Sequence, residues 1–173
     1  MDLKRLRQRC EARLQALDLP TSLNARSLCD TLVAWRGRPI LLQPVANGAG
    51  PHGVWVAGPS VDVVFYERET SPMHQEHIIL HELCHLLCDH RSTPVSDADY
   101  TQLLFPNLHP GTVQLLLQRA GYSTDEEREA EILASLILER TVGTPPIGVP
   151  SPDVEVGLVV RLEAALTGAL ARE

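Results

Sequence analysis

The sequence predicts an α+β fold, a small and mainly antiparallel sheet packed against several helices in one domain. Three patterns carry that expectation. Leucines recur at helical spacing near the start of the chain, two Val-rich runs flank Gly58-Pro59-Ser60, and Ser71-Pro72 opens a long apolar stretch.

Taken in order, Leu3, Leu6, Cys10, Leu14 and Leu17 place an amphipathic helix over residues 2–17, closed by Leu19-Pro20-Thr21. Ser22 can cap a second helix with Leu23, Leu28, Leu32 and Trp35 on its apolar face and Gly37 as its stop. Residues 39–45, bounded by Pro39 and Pro44, form a short strand, and 47–51 form a loop. Val54-Trp55-Val56-Ala57 and Val61-Asp62-Val63-Val64-Phe65-Tyr66 pair as a hairpin. Ser71 as a cap and Pro72 in the first turn start a helix that runs to about residue 90. A loop holding Thr93-Pro94-Val95 precedes another helix at 107–119. Thr124-Asp125-Glu126-Glu127 has capping-box spacing and opens a helix to about residue 140. A stiff Pro/Gly linker follows at 141–150, and Ser151-Pro152 starts a last helix to about residue 171. No internal repeat is present. The domain therefore spans 1–173, with its core at 22–140 between an N-terminal helix (1–19) and a C-terminal one (151–171).

Composition bounds the function. With 44% hydrophobic residues over 173 positions, the chain can bury a core without staples and is not intrinsically disordered. Only 4% are aromatic, so that core is Leu, Val, Ile and Ala. The start, Met1-Asp2-Leu3-Lys4-Arg5-Leu6-Arg7, lacks the apolar region of a signal peptide, and no later segment approaches a membrane span. Cys10, Cys29, Cys84 and Cys88 then read as reduced thiols, and the expected compartment is the cytoplasm. A net charge of −7 argues against direct nucleic-acid binding, which needs a basic footprint. The charge is uneven: residues 2–38 carry eight Lys or Arg against four acids, and residues 121–173 carry ten acids against four Arg. A solvated helix face is the expected reason for the basic start.

The chemistry sits in His81-Glu82-Leu83-Cys84-His85. Residues four apart lie one turn apart on one helix face, so two imidazoles can grip one ion. Glu82, at the edge of that face, can take a proton from an attacking water as general base. A catalytic zinc site needs a third protein ligand and leaves one position open. Cys88 and Arg91 stand where the metzincin pattern has Gly and His, which excludes that version. The acidic cluster at 126–131 is the better source. Glu127 and Glu131 share a helix face with Ala130 and Ala134, small residues that let two helices approach, whereas Glu126 and Glu129 point elsewhere. Glu127 is the expected third ligand, and Glu131 the acceptor behind a ligand imidazole. The bland alternative makes Glu127 the N3 glutamate of a capping box.

The other candidates weigh less. His77, His81 and His85 are spaced four apart, but eight residues of helix span about 12 Å, so His77 is expected to pack beside the site. His74, His90 and His109 are expected to be surface or hydrogen-bonding residues, and Cys88 a small packed thiol, with a redox thiolate as its alternative. Tyr122, just before the second motif helix, is the candidate oxyanion donor.

These residues resemble the ImmA/IrrE-type metallopeptidases, which are gluzincin-like. The resemblance covers roughly residues 22–140, through the hairpin, the segment from Glu76 to Leu87, and Glu127-Arg128-Glu129-Ala130-Glu131-Ile132-Leu133-Ala134. The family's second motif, Glu-x-x-Ala-Asn-x-Phe-Ala, places its ligand on Glu127. Glu131 and Leu133 depart from it, and the Met-Pro that follows the family's helix is missing near Leu138-Glu139. The resemblance implies a zincin-like fold, one Zn2+ per chain on His81, His85 and Glu127, and an endopeptidase of narrow regulatory specificity. Its implied partner is a helix-turn-helix transcriptional repressor that it cleaves. The competing expectation is a zinc-stabilised, non-catalytic module that binds a transcription regulator, and a chance motif would predict no metal at all.

Overall fold

The computed structural model describes residues 2–17, 19, 23–46, 52–57, 61–90 and 122–140. The expected loops at 47–51 and 93–95, the helix at 107–119, the linker and the last helix lie outside the described residues. Within them the chain is α+β, with four helices and three strands. In order these are α1 (Leu3–Ala16), α2 (Ala25–Arg36), β1 (Ile40–Val45), β2 (Gly53–Ala57), β3 (Asp62–Glu67), α3 (Pro72–Leu87) and α4 (Thr124–Arg140).

Helix α1 starts where the Asp2 carboxylate accepts from the Lys4 amide, and it buries Leu6, Cys10 and Leu14. Leu3, expected on that face, is 60% exposed, because the apolar stripe begins one turn later. Helix α2 is capped by Asn24, not Ser22. The Asn24 side chain accepts from the Ser27 amide while Ser27 Oγ accepts from the Asn24 amide, a reciprocal cap that Ser22 is too far upstream to make. Gly37 closes α2 at φ 68°, a left-handed conformation that favours glycine. Trp35, expected to be buried, is 49% exposed.

The hairpin of β2 and β3 forms as expected, antiparallel, with Val54 opposite Phe65 and Val56 opposite Val63. The sheet as a whole is mixed rather than mainly antiparallel. Strand β1 runs parallel to β3, Ile40 opposite Asp62 through Val45 opposite Glu67, giving the order β1-β3-β2. Strand β2, the next in the chain, lies on the far side of β3 and antiparallel to it. Strand β3 is thus central, and every residue in it is buried. Asp62 at its start is fully buried and held by Arg38 through two bonds, Nε to Oδ2 at 2.9 Å and Nη2 to Oδ1 at 2.8 Å. Arg36 adds an ion pair at 3.3 Å, and the Trp55 indole N–H donates to Oδ1 at 3.3 Å.

Helix α3 carries the motif and packs on α2, α4, β2 and β3, so its burial is nearly all-round. Ser71 caps it, its hydroxyl accepting from the His74 amide, with Pro72 in the first turn. It ends at Leu87, three residues earlier than expected. Asp89 turns left-handed at φ 54°, and the chain folds back so that the His90 amide donates to the His85 carbonyl at 3.0 Å. Helix α4 opens one residue earlier in its capping box than the sequence implies. Ser123 Oγ accepts from the Glu126 amide and Glu126 Oε2 accepts from the Ser123 amide at 2.8 Å. No helix among the described residues is long and apolar enough to cross a membrane.

Candidate metal centre

Helices α3 and α4 meet along small and apolar residues. Ala130, Leu133, Ala134 and Ile137 of α4 are fully buried against Leu80, Leu83 and Cys84 of α3. The two alanines let the backbones approach, and that approach brings the side chains one turn away into register. His81 Nε2 and His85 Nε2 lie 3.0 Å apart. Glu127 Oε2 lies 3.3 Å from the first and 3.9 Å from the second. All three donor atoms fall within 4.8 Å of one another. Tetrahedral bonds of about 2.0–2.1 Å to one zinc would separate such atoms by about 3.3 Å, so this donor set fits the ion that the sequence implies. Because Ser123 and Glu126 form the cap, Glu127 is not engaged as a capping residue. It points at the histidines with its side chain 46% exposed.

Each imidazole has a partner on its far nitrogen. His81 Nδ1 lies 3.4 Å from Glu131 Oε2, which also meets His77 Nε2 at 3.2 Å. Glu131 therefore stands behind one of the paired histidines, and His77 flanks it instead of joining the three donors. His85 is fully buried, and its Nδ1 lies 2.9 Å from His90 Nδ1. Burial first, then the neighbouring imidazoles of His81 and His90, push His85 down to about 3 and keep it neutral, with a lone pair to offer. The Tyr122 ring stacks on His85, centroids 3.5 Å apart.

Glu82 lies beside the three donors under β2. It is 5% exposed, and its Oε2 has no hydrogen-bond partner among the described residues. Burial pushes its carboxyl up to about 8, a hydrogen bond from the Trp55 backbone offsets part of this, and nearby Glu127 adds to it. The Tyr122 hydroxyl is likewise buried without a partner among those residues, and burial raises it well above the ordinary phenol range, so it remains a donor. A cleft of about 280 Å³ opens here, lined among others by Gly53, His74, His77, Glu82 and Tyr122.

Three participants escaped the sequence reading. Gly53 gives Glu82 its space: a Cβ there would sit 2.8 Å from Glu82 Oε1 and 2.7 Å from Ile78 Cγ2. A glycine opening a strand is a signal of close approach that the sequence did contain. His90 gave no signal, because it reaches His85 only through the left-handed turn at Asp89. Glu129 points away from the three donors, as expected, but its side chain is only 13% exposed and lies 3.6 Å from His90 Nε2, a contact with no local signal. Cys84 is fully buried, and Cys88 sits just past the helix, beside His90 and Glu129. His74 stays apart from the donors, bonded to the Thr70 hydroxyl at 2.8 Å, and His109 lies outside the described residues. Compared with known family models, curated proteins and solved structures, the chain matches none.

Proposed function

We propose that this protein is a zinc-dependent endopeptidase. The observation that carries this reading is the convergence of His81, His85 and Glu127 on one point beside a buried Glu82, whose Oε2 has no partner among the described residues. A purely structural zinc site is closed by four protein ligands. Three donors open to a cleft, with Glu82 at their side, support the hydrolytic reading over the non-catalytic module. Zinc held there would polarise a substrate carbonyl and make water more acidic.

The chain's own residues do the rest. Glu82 Oε2, without a partner among the described residues, would accept the proton of the attacking water and return it to the leaving amine, the ion's positive charge opposing the burial that otherwise keeps this carboxyl protonated. The Tyr122 hydroxyl, also without a partner among the described residues, donates to the oxygen that becomes negative as the carbonyl is attacked. Glu131 on His81 Nδ1 holds that ring in the orientation that leaves Nε2 free.

Substrate would add as an extended strand. The segment at 61–66, which leads into α3, could be the template only as a sheet edge; as β3 it is the interior strand, paired on both sides with Asp62 and Tyr66 buried, so it cannot serve. Among the described residues the strand at the edge beside Glu82 is β2; its Val54, Trp55 and Val56 are buried, so a peptide would meet it at Gly53, which lines the cleft. That requirement favours a flexible segment over a folded helix. The resemblance to ImmA/IrrE-type metallopeptidases supports the same reading and points to a helix-turn-helix repressor as the substrate.

Metal analysis of the purified protein tests the centre. We expect about one zinc per chain, lost in His81→Ala and Glu127→Ala. Glu82→Gln should retain the zinc yet lose cleavage of a helix-turn-helix repressor by about 10²–10⁴-fold. Normal zinc content in Glu127→Ala would refute the ligand set, and undiminished cleavage by Glu82→Gln would refute the mechanism.

A further inference from the structure

Resting on the metal-centre reading, we propose that His90 and Glu129 are positioning residues for His85, a relay that fixes which of its nitrogens faces the metal. A neutral imidazole carries one N–H, so a ring that offers Nε2 to an ion must hold its proton on Nδ1 and find an acceptor for it. In a buried ring that acceptor has to come from the protein. His85 Nδ1 meets His90 Nδ1 at 2.9 Å, and His85 is fully buried. Once His90 Nδ1 accepts, the His90 proton resides on Nε2, which faces Glu129 Oε2 at 3.6 Å. The other Glu129 oxygen lies 3.8 Å from Arg9 Nη2 and 3.9 Å from Arg13 Nη2, both on α1. The 2.9 Å hydrogen bond thus sets the His85 tautomer, and Glu129, itself faced by two guanidiniums of the N-terminal helix, favours the proton on His90 Nε2 electrostatically.

The backbone is arranged to hold this geometry. Helix α3 stops at Leu87, Asp89 adopts a left-handed φ of 54°, and the His90 amide donates to the carbonyl of His85 itself at 3.0 Å. A non-glycine residue in that region costs about 1 kcal/mol or more, and here the strain delivers the His90 ring to the ring it supports.

Cys88, His90 and Glu129 also place donor atoms within 4.8 Å of one another, which invites a second metal site. Proton counting opposes it. With ions on Nε2 of both His85 and His90, each Nδ1 would carry a proton, and two N–H groups would face each other across 2.9 Å. The nearby guanidiniums of Arg9 and Arg13 oppose a second cation as well.

Two measurements test the relay. Zinc affinity by competition with a chromophoric chelator should fall about 10–100-fold in His90→Leu and in Glu129→Ala. His90→Gln, whose amide oxygen can still accept from Nδ1–H, should stay within about threefold of wild type, a rescue that a packing role would not give. In the metal-free protein, long-range proton–nitrogen NMR of the imidazoles should show His85 protonated on Nδ1, with that preference lost in His90→Leu. If His90→Leu does not fold, Glu129→Ala carries both readouts. An Nε2–H tautomer at His85 in the wild type overturns the relay, as does unchanged affinity in His90→Leu. Two zinc ions per chain, one of them lost in Cys88→Ser, would overturn it in favour of the second site. A wild-type chain that binds no zinc would instead refute the metal-centre reading, and the metal-free tautomer would still decide the relay.

Discussion

Single residues decide whether Glu82 can occupy its place. The carboxyl lies under β2 only because position 53 has no side chain, and a Cβ there would meet Glu82 Oε1 at 2.8 Å and Ile78 Cγ2 at 2.7 Å. Both neighbours belong to a buried helix face, so neither can swing away into solvent. Gly53→Ala should therefore destabilise the protein by about 1–3 kcal/mol in urea unfolding, the usual cost of overpacking. Zinc content should be unchanged, since no proposed ligand touches Gly53. A stability loss below about 0.5 kcal/mol would mean that Glu82 relaxes freely, against the overpacking argument. Glu126 and Glu127 teach the same lesson in the helix cap. Adjacent and chemically identical, one closes α4 and the other turns to the histidines, because Ser123 rather than Thr124 is the capping residue.

Elements act through the strand that lies between two others. Strand β3 connects the hairpin to α3, and Asp62 at its first position ties it to the end of α2 through Arg36 and Arg38. The carboxylate is fully buried while each arginine side chain is about a quarter exposed, 25% for Arg36 and 27% for Arg38. Solvent therefore screens the guanidiniums more than the acid. Removing a partner from a buried charge is expensive because the charge remains, so Arg38→Met should cost about 3 kcal/mol by chemical denaturation. Arg38→Met combined with Asp62→Asn should recover part of that loss, since the orphaned charge is then gone. A loss under about 1 kcal/mol in the single variant would show that Arg36 and Trp55 satisfy Asp62 by themselves.

On the scale of the whole molecule, the uneven charge of the chain finds its reason. The basic start is a solvated helix face, as expected, and that face also meets acids of α4. Arg7 reaches Glu139 at 3.1 Å, and Arg9 and Arg13 face Glu129, so α1 lies along the acidic α4. Leu6, Cys10 and Leu14 supply the apolar part of that contact. Exposed ion pairs such as that of Arg7 contribute little individually, and buried leucines contribute more. The candidate centre lies across α3 and α4, which adds a linkage between metal and stability. Zinc at about a hundred times its dissociation constant should stabilise the fold by about 2.7 kcal/mol. For a chain of this size that is roughly 5–10 °C in thermal midpoint. Calorimetry with zinc and with a chelator reads the difference, which His81→Ala should abolish. An identical midpoint in zinc and in chelator would leave the proposed centre without an ion.

The sequence by itself determined the elements and the pair on one helix. Local periodicity and caps set α1, α3 and the hairpin, because those signals act over neighbouring residues. The spacing of His81 and His85 defines a shared face in any helix that contains them. Small residues at 130 and 134 marked the face of α4 that meets α3, and Glu127 followed from that face. What lies beyond one element was decided only in three dimensions. The parallel pairing of β1 with β3 joins residues more than twenty apart, and no local pattern encodes which side of β3 is taken. His90 looked like one more helical position until a single left-handed residue turned it back on His85. Glu129 was legible only as lying off the Glu127 face, because a helix wheel knows one helix, whereas Glu129 is flanked by α1 and the end of α3. Side-chain partners across elements depend on how close and at what angle backbones pack, and that geometry is a property of the assembled core, not of any segment.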